Sequence, residues 1–253
     1  MSRTVWKNGD MEKLQEELKT NPNPNLDVNE VDSVGRSAVF TACRIGELDY
    51  VKNLVKHGAD VTITDDNGYT CLGVACGVGH IDIVKYLIEE LNVNILDVNS
   101  RGETCLMIAC HNGHVDIVKY LVDKNSSLTT IKNNLDNSCL LSAVQRNHYN
   151  VVEYLVQQGM DVNEVDHIGF SCLQHACKNM RFDIVKCLVE NGADVNDCTD
   201  KGRNSLYFAC ERGKKNLEMI KYLMAKGAVA CDRTIQKAKS KELIELFTFI
   251  KVN

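Results

Sequence analysis

Proline is almost missing from this sequence. Only Pro22 and Pro24 occur, so nothing of that kind interrupts a helix from residue 25 onward. Long apolar runs are missing as well, and none approaches the roughly 18 residues that would suggest a membrane span. There is no surplus of positive charge. The chain carries a net −5 with a pI near 5.8, a balance that argues against the basic footprint duplex nucleic acid requires. Met1 to Asp10 holds no apolar stretch of the kind found in a secretory leader. The expected address is therefore cytoplasmic, with the nucleus as the alternative. Twelve cysteines occur without one Cys-x-x-Cys, which removes the strongest zinc signal.

What the sequence does hold is a period. Gly68-Tyr-Thr-Cys-Leu-Gly-Val-Ala-Cys76 matches Gly102-Glu-Thr-Cys-Leu-Met-Ile-Ala-Cys110, and further copies begin at Gly35, Asp136, Gly169 and Gly202. Successive copies start 33, 34, 34, 33 and 33 residues apart. Each continues alike. Gly79-His-Ile-Asp-Ile-Val-Lys-Tyr-Leu87 recurs at Gly113 to Leu121 and, less closely, at Arg181 to Leu188, and Gly58-Ala-Asp-Val61 recurs at Gly192 to Val195. Apolar residues at 44% and charged residues at 25% are ordinary for a soluble domain, so the copies can build a core.

One copy can be read physically. A Ser or Thr opens a short first helix, its hydroxyl satisfying an orphan amide, and a small Ala sits at the centre of the packed face. Asp49, Asp82, Asp116 and Asp183 open the second helix, where the dipole favours an anion. Lys52, Lys85, Lys119 and Lys186 follow three residues later on the same face. Gly58, Gly159, Gly192 and Gly227 then end that helix in a left-handed conformation. A single unit cannot bury both faces of its helix pair, so copies must stack. The fingers before Gly102 and Asp136 each carry one extra residue. The fourth copy also places Asn125, Asp136 and Asn147 at or near usual glycine positions, so the middle should be the least regular part.

The period and the Thr-x-Leu-x-x-Ala pattern resemble the ankyrin repeat family over residues 32–229. Cys71, Cys105, Cys139 and Cys172 replace the signature proline, and no copy keeps the signature histidine. The resemblance implies an all-α ankyrin-repeat solenoid of helix-turn-helix units with short β-hairpin-like fingers. Residues 1–31 are expected to form an N-terminal half-repeat cap, 32–229 six repeats, and 230–253 a C-terminal helical cap, all one continuous repeat domain. Gly9 to Leu18 would be the helix of the first cap. Leu243, Leu246, Phe247 and Ile250 would be the apolar stripe of the last.

Catalytic chemistry is sought and not found. His80, His114 and His148 share one repeat position and are read as stabilising their own turns. His111-Asn-Gly-His114 lacks the further ligands a metal site needs. Cys43, Cys76, Cys110, Cys177 and Cys210 recur on first helices. Packed helices lie roughly 8–10 Å apart, beyond the roughly 7 Å a disulfide tolerates, so buried free thiols in a reducing compartment are expected. Gly73, Gly77 and Gly79 form no phosphate loop. No nucleophile elbow or kinase set occurs. No enzyme activity and no cofactor are expected.

The expected function is non-catalytic binding of another protein along a concave face, as adaptor, scaffold or regulator. Family resemblance places contacts on fingers and first helices, at Arg36, Arg44, Tyr69, Arg101, His111, Leu135, Arg146, Ile168, Phe170, Lys178, Arg203 and Arg212. Counted with Lys201 and against Asp66, Glu103, Asp200 and Glu211, these positions are net basic within an acidic chain. The expected partner is an acidic extended peptide or acidic surface, with no nucleic acid, no membrane and a monomeric chain. The alternatives are hydroxylation of finger asparagines, Asn163 and Asn196, by an asparaginyl hydroxylase, then nucleic-acid binding or a catalytic subunit.

Overall fold

The structure is a computed structural model that describes residues 27–211, 216–238 and Phe247. Its contacts divide the chain into two compact units, Met1–Asn134 and Leu135–Asn253. In the first unit, α1 (Ala38–Ile45) pairs with α2 (Leu48–Lys56), α3 (Cys71–Val78) with α4 (Ile81–Glu89), and α5 (Cys105–Asn112) with α6 (Val115–Lys124). A 3-10 turn, Ser126–Thr130, follows. In the second, α7 (Cys139–Arg146) pairs with α8 (Tyr149–Gln157), α9 (Cys172–Lys178) with α10 (Phe182–Glu190), and α11 (Ser205–Cys210) with α12 (Leu217–Ala225). Helix α13 (Asp232–Lys237) comes last. Among the described residues the only β structure is three isolated bridges, Val98–Thr104, Val165–Ser171 and Cys198–Asn204, which pinch the fingers into hairpins. No described helix is long and apolar enough to cross a membrane.

The first helices start where a short polar side chain caps them. Ser37, Thr70, Thr104, Ser138 and Ser171 each accept the amide three residues on, and Asn204 does so in the last pair. Ser171 and Gln174 close a full capping box. Ala42, Ala75, Ala109, Ala143, Ala176 and Ala209 are wholly buried. Their small side chains let α1 pack on α3 and α3 on α5 in one unit, and α7 on α9, α9 on α11 and α11 on α13 in the other. The second helices bury one stripe each, such as Ile83, Val84 and Leu87, or Ile184, Val185 and Leu188. Each such residue is worth about 1.5–3 kcal/mol of burial.

One expectation is corrected. His80 and His114 do not stabilise their own turns. Each sends Nε2 back to the preceding helix pair, to the Arg44 carbonyl at 3.2 Å and the Gly77 carbonyl at 3.0 Å. Their rings lie against Gly46 and Gly79, left-handed residues at φ +97° and +99°. Asn125 begins the irregular stretch expected in the middle of the chain. It is extended at φ −156°, and its side chain caps the 3-10 turn through Ser127 N. The cysteines are free, as expected, and at non-equivalent positions they also meet between repeats: Cys43 hydrogen-bonds with Cys71 and Cys76 with Cys105. Asp136 and Asn147 do adopt positive φ, 54° and 66°. The helix expected over Gly9 to Leu18 lies outside the described residues, as do Leu243, Leu246 and Ile250. Phe247 is described and buried.

Candidate functional site

The fingers that carry Arg36, Tyr69, Arg101, Ile168, Phe170 and Arg203 are each organised by one short polar side chain. Asp32 Oδ1 accepts from Val34 N and Arg36 N, and Asp65 Oδ1 from Asn67 N and Tyr69 N. Asn99 Oδ1 does the same for Arg101 N and Glu103 N, and Asp166 Oδ1 for Ile168 N and Phe170 N. Thr199 Oγ1 accepts only from Arg203 N. These bonds spare the exposed hairpins unsatisfied amides. They put one residue at each tip, Arg101, Ile168 or Lys201, and another where the finger enters the first helix, Arg36, Tyr69, Phe170 or Arg203. Successive fingers are stitched by backbone bonds, Asp66 N to Val34 O, Ser100 N to Asn67 O and Asn134 N to Arg101 O in the first unit, and His167 N to Leu135 O in the second.

In the first unit the expected contacts stand apart. The Arg36 guanidinium is bound to its own Asp32, with Nη2 2.7 Å from Oδ2, so its charge is largely spent inside the finger. Burial pulls the Asp32 carboxyl up, but hydrogen bonds from the Arg36 side chain and from the Arg36 and Val34 amides outweigh it, leaving the group below its ordinary value. Tyr69 is half-buried. Burial first, and then the Glu103 charge, push its hydroxyl up, with Arg101 opposing. Arg44 is exposed at the end of α1, and His111 is half-buried near the end of α5.

In the second unit several contacts gather. Phe170 packs on Phe208, ring centroids 4.9 Å apart, and on His175 at 5.5 Å, while the Lys178 ammonium sits 5.2 Å above the Phe170 ring. His175 Nε2 lies 2.9 Å from Asp166 Oδ2. Burial lowers the His175 pKa, and the Asp166 hydrogen bond opposes it without prevailing. The Arg203 guanidinium lies over the Tyr207 ring at 5.1 Å, and Lys237 over the same ring at 5.4 Å. Two open clefts share Arg203. One is lined by Ile168, Phe170, Thr199, Asp200 and Lys201, the other by Tyr207, Arg233, Gln236 and Lys237. Leu135 is half exposed near His167, and Arg146 is exposed at the end of α7. Arg212 lies outside the described residues.

Sequence reasoning passed over Tyr207, Arg233 and Lys237 as contacts. Tyr207 stands where the repeat signature has histidine, and an aromatic at that place was the available signal. Arg233 and Lys237 had none, because α13 lies outside the period. Gln174, at the same signature position, donates Nε2 to the Asp197 carbonyl at 3.0 Å and so restores a bond between repeats. Asn163 and Asn196 are each held twice. Asn163 Nδ2 donates to Gly192 O and its Oδ1 accepts from Asp194 N; Asn196 does the same with Gly227 O and Val229 N. Among the described residues no group of three or more His, Cys, Asp or Glu is placed to hold a metal ion.

The chain matches the family model described as ankyrin repeats, three copies, over residues 4–97, 91–166 and 161–234. A search of curated proteins finds no match. Among solved structures it is similar to the ankyrin repeat domain of Bcl-3, described as a unique member of the IkappaB protein family. The identity is 24%, the TM-score 0.72, and the match covers 85% of this chain and 100% of that one. It is also similar to the human ASB11 ankyrin repeat domain, at 26% identity and TM-score 0.71, over 85% of this chain and 98% of that one.

Proposed function

We infer that this chain, which belongs to the ankyrin repeat family, is a non-catalytic module that binds an acidic, extended segment of another protein on its first helices and fingers. Ankyrin repeats are generally protein-interaction modules. The reading rests on one observation. Lys178, Lys201 and Arg203 have no carboxylate ion-pair partner among the described residues and stand beside Phe170, Ile168 and Tyr207, in a chain whose net charge is −5. Cations left uncompensated beside aromatic and aliphatic side chains favour an anionic partner, chiefly by speeding and orienting encounter. Twelve free thiols fit a reducing compartment, cytosol or nucleus, and a monomer is proposed. Asn163 and Asn196 are read as ordering the hairpins rather than as hydroxylation sites, since both ends of each amide are already used. Mass spectrometry of natively expressed protein tests that point.

Affinity capture of the natural partner, followed by binding kinetics, tests the main reading. Arg146→Glu with Lys178→Glu should slow association and flatten its salt dependence, while circular dichroism shows the fold unchanged. A partner bound unchanged by the folded double variant removes the basic face from consideration. Retention of nucleic acid, with affinity falling steeply in salt, would favour the nucleic-acid alternative.

A further inference from the structure

The two clefts that share Arg203 differ in character, and the difference describes a ligand. The first has an apolar wall. Ile168 is 56% exposed on a finger tip fixed by Asp166, next to a Phe170 ring pinned by Phe208 and His175. A wall held in place before binding loses little entropy on contact. The second cleft is cationic. Arg203 and Lys237 both lie over the Tyr207 ring, so two like charges border one cleft. Glu211 offsets Lys237 at 3.2 Å, but among the described residues no carboxylate offsets Arg203. Arg233 donates to the Lys201 carbonyl, which tethers its guanidinium in the same cleft. A carboxylate between Arg203, Arg233 and Lys237 would relieve the repulsion through charge-assisted hydrogen bonds.

We propose that the partner presents a two-part motif to these clefts: a large apolar side chain against Ile168 and Phe170, and an acidic side chain between Arg203, Arg233 and Lys237. Because both clefts border Arg203, the two side chains belong within about two residues in an extended strand, which rises roughly 3.3 Å per residue. This motif rests on the acidic-partner reading above and narrows it to one place and one pattern.

The test is selection of a random heptapeptide library displayed on phage against the full chain, followed by fluorescence anisotropy with the enriched peptides. Enriched sequences should pair Leu, Ile or Phe with Asp or Glu within two positions. Arg203→Gln with Arg233→Gln should weaken binding about tenfold or more. Ile168→Ser should weaken it too, and Lys56→Glu, on α2, should leave it unchanged. Thermal melts check folding, and Lys237→Gln alone serves if the double variant does not fold. Acidic peptides that bind the cleft variants as tightly as the unaltered chain would overturn the motif and leave the acidic-partner reading standing. Enrichment of neutral or basic peptides, or of none, would overturn both. Tighter binding of a single-stranded oligonucleotide, lost in the same variants, would assign the clefts to nucleic acid and overturn the motif.

Discussion

At the scale of single residues, the second unit's finger is built on a proton balance. Burial lowers the His175 pKa, against the pull of Asp166. A histidine whose native pKa is lowered supports the fold above its ordinary value of about 6.5, and that support is lost as pH falls through the native value. The Asp32 and Asp166 carboxyls are also lowered. In each, burial raises the pKa, but hydrogen bonds from finger amides and a cationic or imidazole partner outweigh it. Their support is present above the ordinary 3.8 and disappears only as pH falls through their lower native values. Urea midpoints measured from neutral pH downward should therefore fall in two stages, the first near the histidine range. His175→Gln, whose amide can still donate to Asp166, should flatten the first stage and spare the second. An unchanged first stage would show that another group is responsible.

At the scale of elements, the join between neighbouring helix pairs is a histidine resting on a glycine. A Cβ added at Gly79 would meet His114 Cε1 at 2.7 Å, and Gly79 also needs φ +99°; Gly58 needs φ +89° but faces open space. The two glycines thus separate conformational cost from steric cost. Gly58→Ala should cost about 1–2 kcal/mol, the left-handed penalty alone. Gly79→Ala should carry that penalty and in addition displace His114 from its bond to Gly77 O, so its loss should exceed that of Gly58→Ala by about 1 kcal/mol or more. Urea unfolding of both variants checks this, and equal losses would mean that the histidine ring gives way freely. On the outer face, Lys52 reaches the ring of Tyr86 and Lys85 that of Tyr120, 5.5 and 6.0 Å from the centroids. Lysines that a helical-face reading sets beside aspartates thus also tie neighbouring pairs together.

At the scale of the whole molecule, the cysteines report how the chain is packed. Nine thiols are buried, Cys187 and Cys231 are partly exposed, and Cys198 is exposed. Burial pushes the Cys210 thiol up to about 12. For Cys43 the hydrogen bond with Cys71 and then burial raise it well above its ordinary value. Reaction needs an accessible thiolate. An aromatic disulfide reagent should therefore titrate Cys198 quickly and Cys187 and Cys231 more slowly in the native protein, with the other nine reacting only in denaturant. A total near twelve confirms free thiols. A total of four or fewer, or nine fast-reacting thiols in the native state, would mean the cysteines are placed wrongly.

The repeat, the first-helix caps, the glycine stops and the buried alanines were legible in the sequence because each is local. A hydroxyl caps its own helix, and Gly58 ends its own turn. The class of the fold follows from thirty-odd residues of such chemistry repeated. What only the tertiary structure decided depends on distances across repeats, which a period cannot supply. His80 turned out to serve the preceding pair rather than its own turn, and Cys43 found Cys71 rather than an equivalent cysteine. Arg36, which looked like a free charge, is spent on Asp32. Lys178, Phe170, Arg203 and Tyr207, scattered over thirty-eight residues, converge because α9 packs on α11. Helix α13 then brings Lys237 over the Tyr207 ring and Arg233 into the same cleft, for the physical reason that a stack buries its last face against whatever follows it.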